Sequence, residues 1–180
     1  MKPMKQFAFV ALLALIGCKK EPSLQRYFVD KSEDTRFIEM DLSPSILDID
    51  SKQLTGEEQK ALETFKKLNV LMYKAKPGDT VYEHEKNQVK EILKNPDYQQ
   101  LMKFGRGQDG ASVSFVGDEN HIQEFILFAN RKENGFAVVR VLGDDMSPAG
   151  VFTLIKLLQK SHIDAGQLQP LQEMLPKDKT

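Results

Sequence analysis

Hydrophobic and polar positions along this chain follow two periods, and the switch between them divides the sequence. Leu24, Tyr27 and Phe28 stand at helical spacing and predict a short lead-in helix over 24–30. Arg36 to Leu42 alternates, with Ile38, Met40 and Leu42 on one face and Glu39 and Asp41 on the other, a strand with one wet side. Ser43-Pro44-Ser45 then opens a turn or short helix carrying Ile46, Leu47 and Ile49. Thr55-Gly56-Glu57-Glu58 has capping-box spacing, in which hydroxyl and carboxylate satisfy two helix-end amides reciprocally. Behind it Ala61, Leu62, Phe65 and Leu68 share a helical face, and Val70 to Tyr73 reads as a short buried strand ended by Lys76-Pro77-Gly78. Thr80 and Glu83 repeat the capping spacing ahead of a helix presenting Tyr82, Val89, Ile92 and Leu93 and ending at Asn95-Pro96. Asp97 and Gln100 open a further short helix with Tyr98, Leu101 and Met102.

Past Gly105 to Gly110 the period becomes two. Ala111, Val113 and Phe115 alternate with serines, Gly117 to Asn120 is turn composition, and Ile122 to Ala129 is a strand whose end is apolar on both faces. Asn134-Gly135 is a hairpin signal, and Phe136 to Leu142 returns. Ser147-Pro148 suits an N-cap and first helical residue, opening a helix through Val151, Phe152, Leu154, Ile155 and Leu158. Leu168, Leu171 and Leu175 suggest a weaker closing helix, interrupted near Pro170. The order β-α-β-α-β-β-β-α implies an α/β (α+β) two-layer sandwich. Its mixed, mostly antiparallel sheet has about five strands with helices packed on it, and the first β-α-β unit is expected as a right-handed crossover. The strand at Phe125–Ala129 needs cover on its second face, from the lead-in helix, the tail or a second copy in a homo-oligomer.

Ahead of all this, Phe7 to Ile16 is an apolar run of ten residues, preceded by Lys2 and Lys5 and followed by Gly17 and Cys18. A membrane-spanning helix needs roughly twenty such residues, so the run reads as the core of a signal peptide. Leu15-Ile16-Gly17-Cys18 fits a lipobox, with cleavage between Gly17 and Cys18 and lipid attachment at Cys18, the chain's single cysteine. The expected organisation is a signal peptide over 1–17, a lipidated tether over 18–23, one globular domain over 24–162 and a helical tail over 163–180. Cleavage leaves 163 residues with 23 basic and 26 acidic side chains, a formal charge of −3. That length can bury a proper core, and that balance argues against nucleic acid as a partner.

Candidate chemistry is sparse. Gly105-Arg106-Gly107-Gln108-Asp109-Gly110 fits G-x-G-x-x-G, but a dinucleotide fingerprint follows a strand and opens a helix, the reverse of the order here. His84-Glu85 lacks the second histidine one turn on, where Gln88 stands, and His121 and His162 are isolated, so no metal site and no cofactor is expected. Asp144-Asp145, Asp118 and Glu119 read as turn and helix-start acids. Arg140 interrupts an apolar strand and, if Asn134-Gly135 is a two-residue turn, lies opposite Ala129. There it either binds an anion or a partner, or snorkels to solvent.

Several stretches resemble one family: the lipobox, Ser43-Pro44-Ser45-Ile46-Leu47, Leu68 to Tyr73, Ile122 to Leu127 and Val141 to Met146. They look like Bacteroidetes lipoproteins grouped under a domain of unknown function. The resemblance carries no activity, ligand or catalytic residue. It implies a cell-envelope lipoprotein held to the membrane by its lipid, at the outer membrane's periplasmic side or displayed on the surface. The expected function is a non-catalytic module that binds an envelope protein or a ligand. The alternatives are an envelope hydrolase using Asp, Glu and His, and a regulatory partner of an envelope signalling protein.

Overall fold

The computed structural model describes residues 22–46, 54–106, 109–119 and 121–160. In chain order these form α1 (Leu24–Lys31), β1 (Phe37–Leu42), a single 3-10 turn (Pro44–Ile46), α2 (Gly56–Thr64) and β2 (Phe65–Lys74). There follow α3 (Tyr82–Ile92), β3 (Gln99–Arg106), β4 (Asp109–Asp118), β5 (His121–Arg131), β6 (Gly135–Met146) and α4 (Pro148–Lys160). The strands make one open sheet in the order β1-β2-β6-β5-β4-β3. The α+β class is as expected, with six strands rather than about five. Every neighbouring pair is antiparallel, β1 with β2 included, so the expected right-handed crossover is not formed. Its handedness rule applies only to parallel strands.

Alternation along the inner strands buries both faces. On one, Leu71 and Tyr73 of β2, Phe128 of β5 and Phe136 and Val138 of β6 lie under Leu24, Tyr27 and Phe28 of α1 and Tyr82, Val89 and Ile92 of α3. On the other, Val70, Met72, Phe125 and Val141 lie with Val151 and Leu154 of α4 and Leu62 of α2. The lead-in helix thus supplies, together with α3, the second cover that the doubly apolar strand required. At the centre of the first face Tyr73 and Phe136 stack at 5.4 Å, and Phe37 meets Tyr73 edge-on at 5.1 Å. Such pairs add about 0.5–1.5 kcal/mol each beyond their buried area.

Local signals at helix starts hold where a side chain reaches the backbone. Thr55 and Glu58 form the expected capping box. Ser147 Oγ accepts from the Gly150 amide at 3.1 Å, ahead of Pro148. At α3 the cap is different from the one expected: Asp79 Oδ1, not Thr80, accepts from the Val81 and Tyr82 amides at 2.8 and 3.1 Å. Asp79 Oδ2 also takes the Tyr73 hydroxyl at 2.7 Å, which holds that carboxyl below its usual range, while burial and the same bond push Tyr73 up to about 12.

Strand pairing overrides helical spacing in two places. Phe65 and Leu68 continue the helical face of α2 in sequence, yet the helix stops at Thr64 and both residues enter β2, where Leu68 pairs with Leu42 and Val141. The segment starting at Asp97 forms no helix bearing Leu101 and Met102; both lie in β3, an edge strand hydrogen-bonded to β4. In α4 Phe152 falls off the Val151, Leu154 and Leu157 stripe and is 52% exposed. The proposed closing helix after 163 lies outside the described residues.

The β5–β6 turn has three residues, Lys132 to Asn134, between the paired Arg131 and Gly135. The Asn134 amide donates to the Arg131 carbonyl at 3.0 Å, and Gly135 follows at φ 115, the pattern of a three-residue hairpin loop. A Cβ at Gly135 would lie 1.8 Å from the Tyr73 carbonyl oxygen of β2. Gly135→Ala should therefore cost roughly 2–4 kcal/mol through backbone strain and overpacking. Urea unfolding of the two proteins measures this, and a difference under about 0.5 kcal/mol would show that the end of β2 yields freely.

Candidate functional site

Arg140 sits in β6 between Asn69 of β2 and Ile126 of β5, not opposite Ala129, because the three-residue turn shifts the register. Its side chain is buried and turns towards α1. Nε donates to Glu124 Oε1 at 2.6 Å and Nη2 to Oε2 at 3.0 Å, with the guanidinium carbon 5.3 Å from the Phe28 ring centre. Such a two-pronged bond is the geometry that best offsets the cost of burying both charges. Arg140 therefore joins β5, β6 and α1 rather than snorkelling to solvent.

His121 lies at the β4–β5 turn, its Nδ1 3.1 Å from Asp118 Oδ1, an oxygen that also accepts the His121 amide at 3.0 Å. Asp144 pairs with Lys66, and Asp145 has φ 52 in the irregular end of β6. His84 lies in a groove of about 810 Å3 between α1 and α3. Among the described residues no three His, Cys, Asp or Glu side chains are grouped to hold a metal ion. The G-x-G-x-x-G segment is a hairpin tip, with Gly105 paired to Gly110 and Arg106 to Asp109. It joins two strands and opens no helix. Gly17, Cys18 and His162 lie outside the described residues.

What the sequence did not reveal is a cleft of about 410 Å3 between the end of α3 and the β3–β4 hairpin. It exists because β4 carries Gly110, Ser112 and Ser114 on the face that α3 leaves uncovered, and small side chains leave depth there. The cross-strand partners fill in the floor: Ser112 lies between Lys103 and Phe128, and Gly110 between Gly105 and Asn130. Leu93 and Phe128 give apolar wall, whereas Phe104, 57% exposed and paired with Ala111, points from the opposite face of the sheet. The alternation of serines in β4 was visible as a polar face; that α3 and β3 would bring lysines to it was not.

Helix α3 is aimed at the cleft by a buried clamp to α1. Glu85 accepts the Tyr27 hydroxyl at 2.9 Å and Lys31 Nζ at 2.8 Å, and burial with that hydrogen bond holds the Tyr27 hydroxyl firmly protonated. The next residue, Lys86, reaches Glu83 at 2.6 Å and lies 5.0 Å from the Tyr82 ring centre. Lys90, Lys94 and Lys103 line the cleft. Lys94 is paired with Glu91 at 2.6 Å, and Asp109, the acid in the lining, accepts the Lys132 amide at 2.9 Å. Lys90 has its pKa lowered by loss of solvent and then by the nearby Lys86 and Lys103 ammonium groups, with Glu83 opposing.

An antiparallel six-stranded α+β domain with helices on both faces is the class that these features define. Residues 27–154 match the model of the domain of unknown function DUF4252, and the chain belongs to that family. The match runs from α1 into α4 and so takes in the whole sheet and the cleft. Neither the curated proteins nor the solved structures include a match to this chain.

The Arg140–Glu124 pair makes a sharp stability prediction. Glu124→Leu alone should cost about 3–5 kcal/mol, because it leaves a buried guanidinium unpaired. Adding Arg140→Met should recover most of that loss. Urea midpoints of the single and double variants decide it, and an undiminished loss in the double variant would contradict the orphaned-charge account.

Proposed function

We propose that this chain is a lipid-anchored envelope protein whose globular domain is a non-catalytic binding module. The observation that carries the binding reading is the preformed cleft beside α3. Its volume of about 410 Å3 lies within the usual range for small-molecule sites, and it combines apolar wall with a few converging polar groups. The polar side chains at its floor and rim are lysine, serine, asparagine and glutamine with one acid, Asp109, groups suited to holding a ligand.

The anchor reading is supported by Leu15-Ile16-Gly17-Cys18 and by how closely the fold follows it. Leu24 is fully buried, and its amide donates to the Tyr98 hydroxyl at 3.0 Å, so α1 is tied down from its first residue. Five residues, Lys19 to Ser23, separate Cys18 from α1, a reach of roughly 17 Å when extended. Burial of acyl chain contributes about 0.8 kcal/mol per methylene, and a second chain turns a marginal anchor into a stable one. A domain tethered this way works within a short distance of the bilayer. Among the described residues no helix is long and apolar enough to cross a membrane.

Two measurements test the reading. Cys18→Ser should abolish incorporation of labelled fatty acid and leave the chain unprocessed or released from membranes; label and membrane retention in that variant would sink the anchor. Full-length protein assayed on ester, phosphoester and glycoside substrates should show no turnover that His84→Ala, His121→Ala or Asp118→Ala removes. A turnover lost in any of the three would replace the binding module with a hydrolase.

A further inference from the structure

Two features of the cleft beside α3 bear on what it holds. The first is electrostatic. Lys90 and Lys103 enter it from α3 and β3, and neither forms an ion pair among the described residues. The acids nearby are committed elsewhere: Glu91 to Lys94, Glu83 to Lys86, and Asp109 to the Lys132 amide. Lys90 and Lys103 outnumber Asp109, the one carboxylate in the lining, and that positive balance favours an anion there. The second is the mixed lining. Ser112 and Ser114 offer hydroxyl donors on the floor, whereas Phe128 and Leu93 form wall. A bare inorganic anion would leave that aromatic and aliphatic surface unused.

On the reading of the domain as a binding module, we propose that this cleft binds a small amphipathic anion, with its phosphate or carboxylate between Lys90 and Lys103 and its apolar body against Leu93 and Phe128. The lysines supply charge-assisted hydrogen bonds, and the serines complete the anion's shell.

The test uses phenyl phosphate, with inorganic phosphate as the anion lacking an apolar body. Ligand-observed phosphorus NMR follows both on the full-length protein in a non-ionic detergent. Phenyl phosphate should bind saturably and about tenfold more tightly than inorganic phosphate. Lys90→Gln and Lys103→Gln should each weaken it about tenfold, and Lys156→Gln on α4 should leave it unchanged. Leu93→Ala should weaken phenyl phosphate while sparing inorganic phosphate, a result that lost folding would not produce. Absence of saturable binding, binding indifferent to both cleft lysines, or equal affinity for the two phosphates overturns the proposal. Any of these would leave the hydrolase assay, and so the binding-module reading, standing. Vesicles of phosphatidylglycerol that displace phenyl phosphate where phosphatidylcholine vesicles do not would assign the anion to a lipid headgroup. Displacement by neither would assign it to a free small molecule.

Discussion

The structure depends on one strand being dry on both sides in a single register. β6 lies between β2 and β5, sends Phe136 and Val138 to the α1–α3 face, and sends Val141 to the α4 face. A slip of one residue would exchange these sets and turn Arg140 into the opposite core. The register is held at one end by the turn before Gly135, whose missing side chain lets β6 pass against the Tyr73 carbonyl. At the other end, an irregularity between Ile122 and Glu124 sets Ile122 on the α4 face while Glu124 meets Arg140 on the α1 face. The buried ion pair is a consequence of that alignment: a guanidinium placed in the core by register must find its carboxylate there.

The cleft follows from the same arrangement. Helices α1 and α3 are clamped through Glu85, Tyr27 and Lys31, and together they cover the sheet over β2, β6 and β5. Beyond them the sheet continues for two more strands. There the side chains shrink to glycine and serine, and the end of α3 overlooks a floor instead of packing on one. Incomplete cover at a sheet edge would ordinarily be filled by large apolar residues. Here it is lined by lysines from two different elements, in a domain whose overall charge is slightly negative. A concentration of one sign in a concavity is a product of folding, since Lys90 and Lys103 belong to no common pattern in the chain.

How far each feature was legible depended on the reach of the interaction behind it. The Thr55–Glu58 capping box and the Ser147-Pro148 helix start were readable because each is closed by atoms three residues apart. The strands β4, β5 and β6 were readable from alternation alone. Phe65, Leu68, Leu101 and Met102 were misplaced for the opposite reason: their spacing satisfies a helix, and only pairing with β6, β1 or β4 makes them strand. Asn134-Gly135 identified the hairpin but not its length, and that difference moved Arg140 from Ala129 to Ile126.

By itself, then, the sequence determined the α+β class, the caps at Thr55 and Ser147, the three-strand run and the need for cover on two faces. Each of these rests on neighbours within a turn or a strand, where periodicity and capping chemistry act. The tertiary structure decided the sixth strand, the all-antiparallel order, the partner of Arg140 and the lysine cleft. Those depend on contacts between residues far apart in the chain. Whether such contacts form is settled by which pairing buries the most surface without orphaning a charge, and local spacing carries no record of that competition.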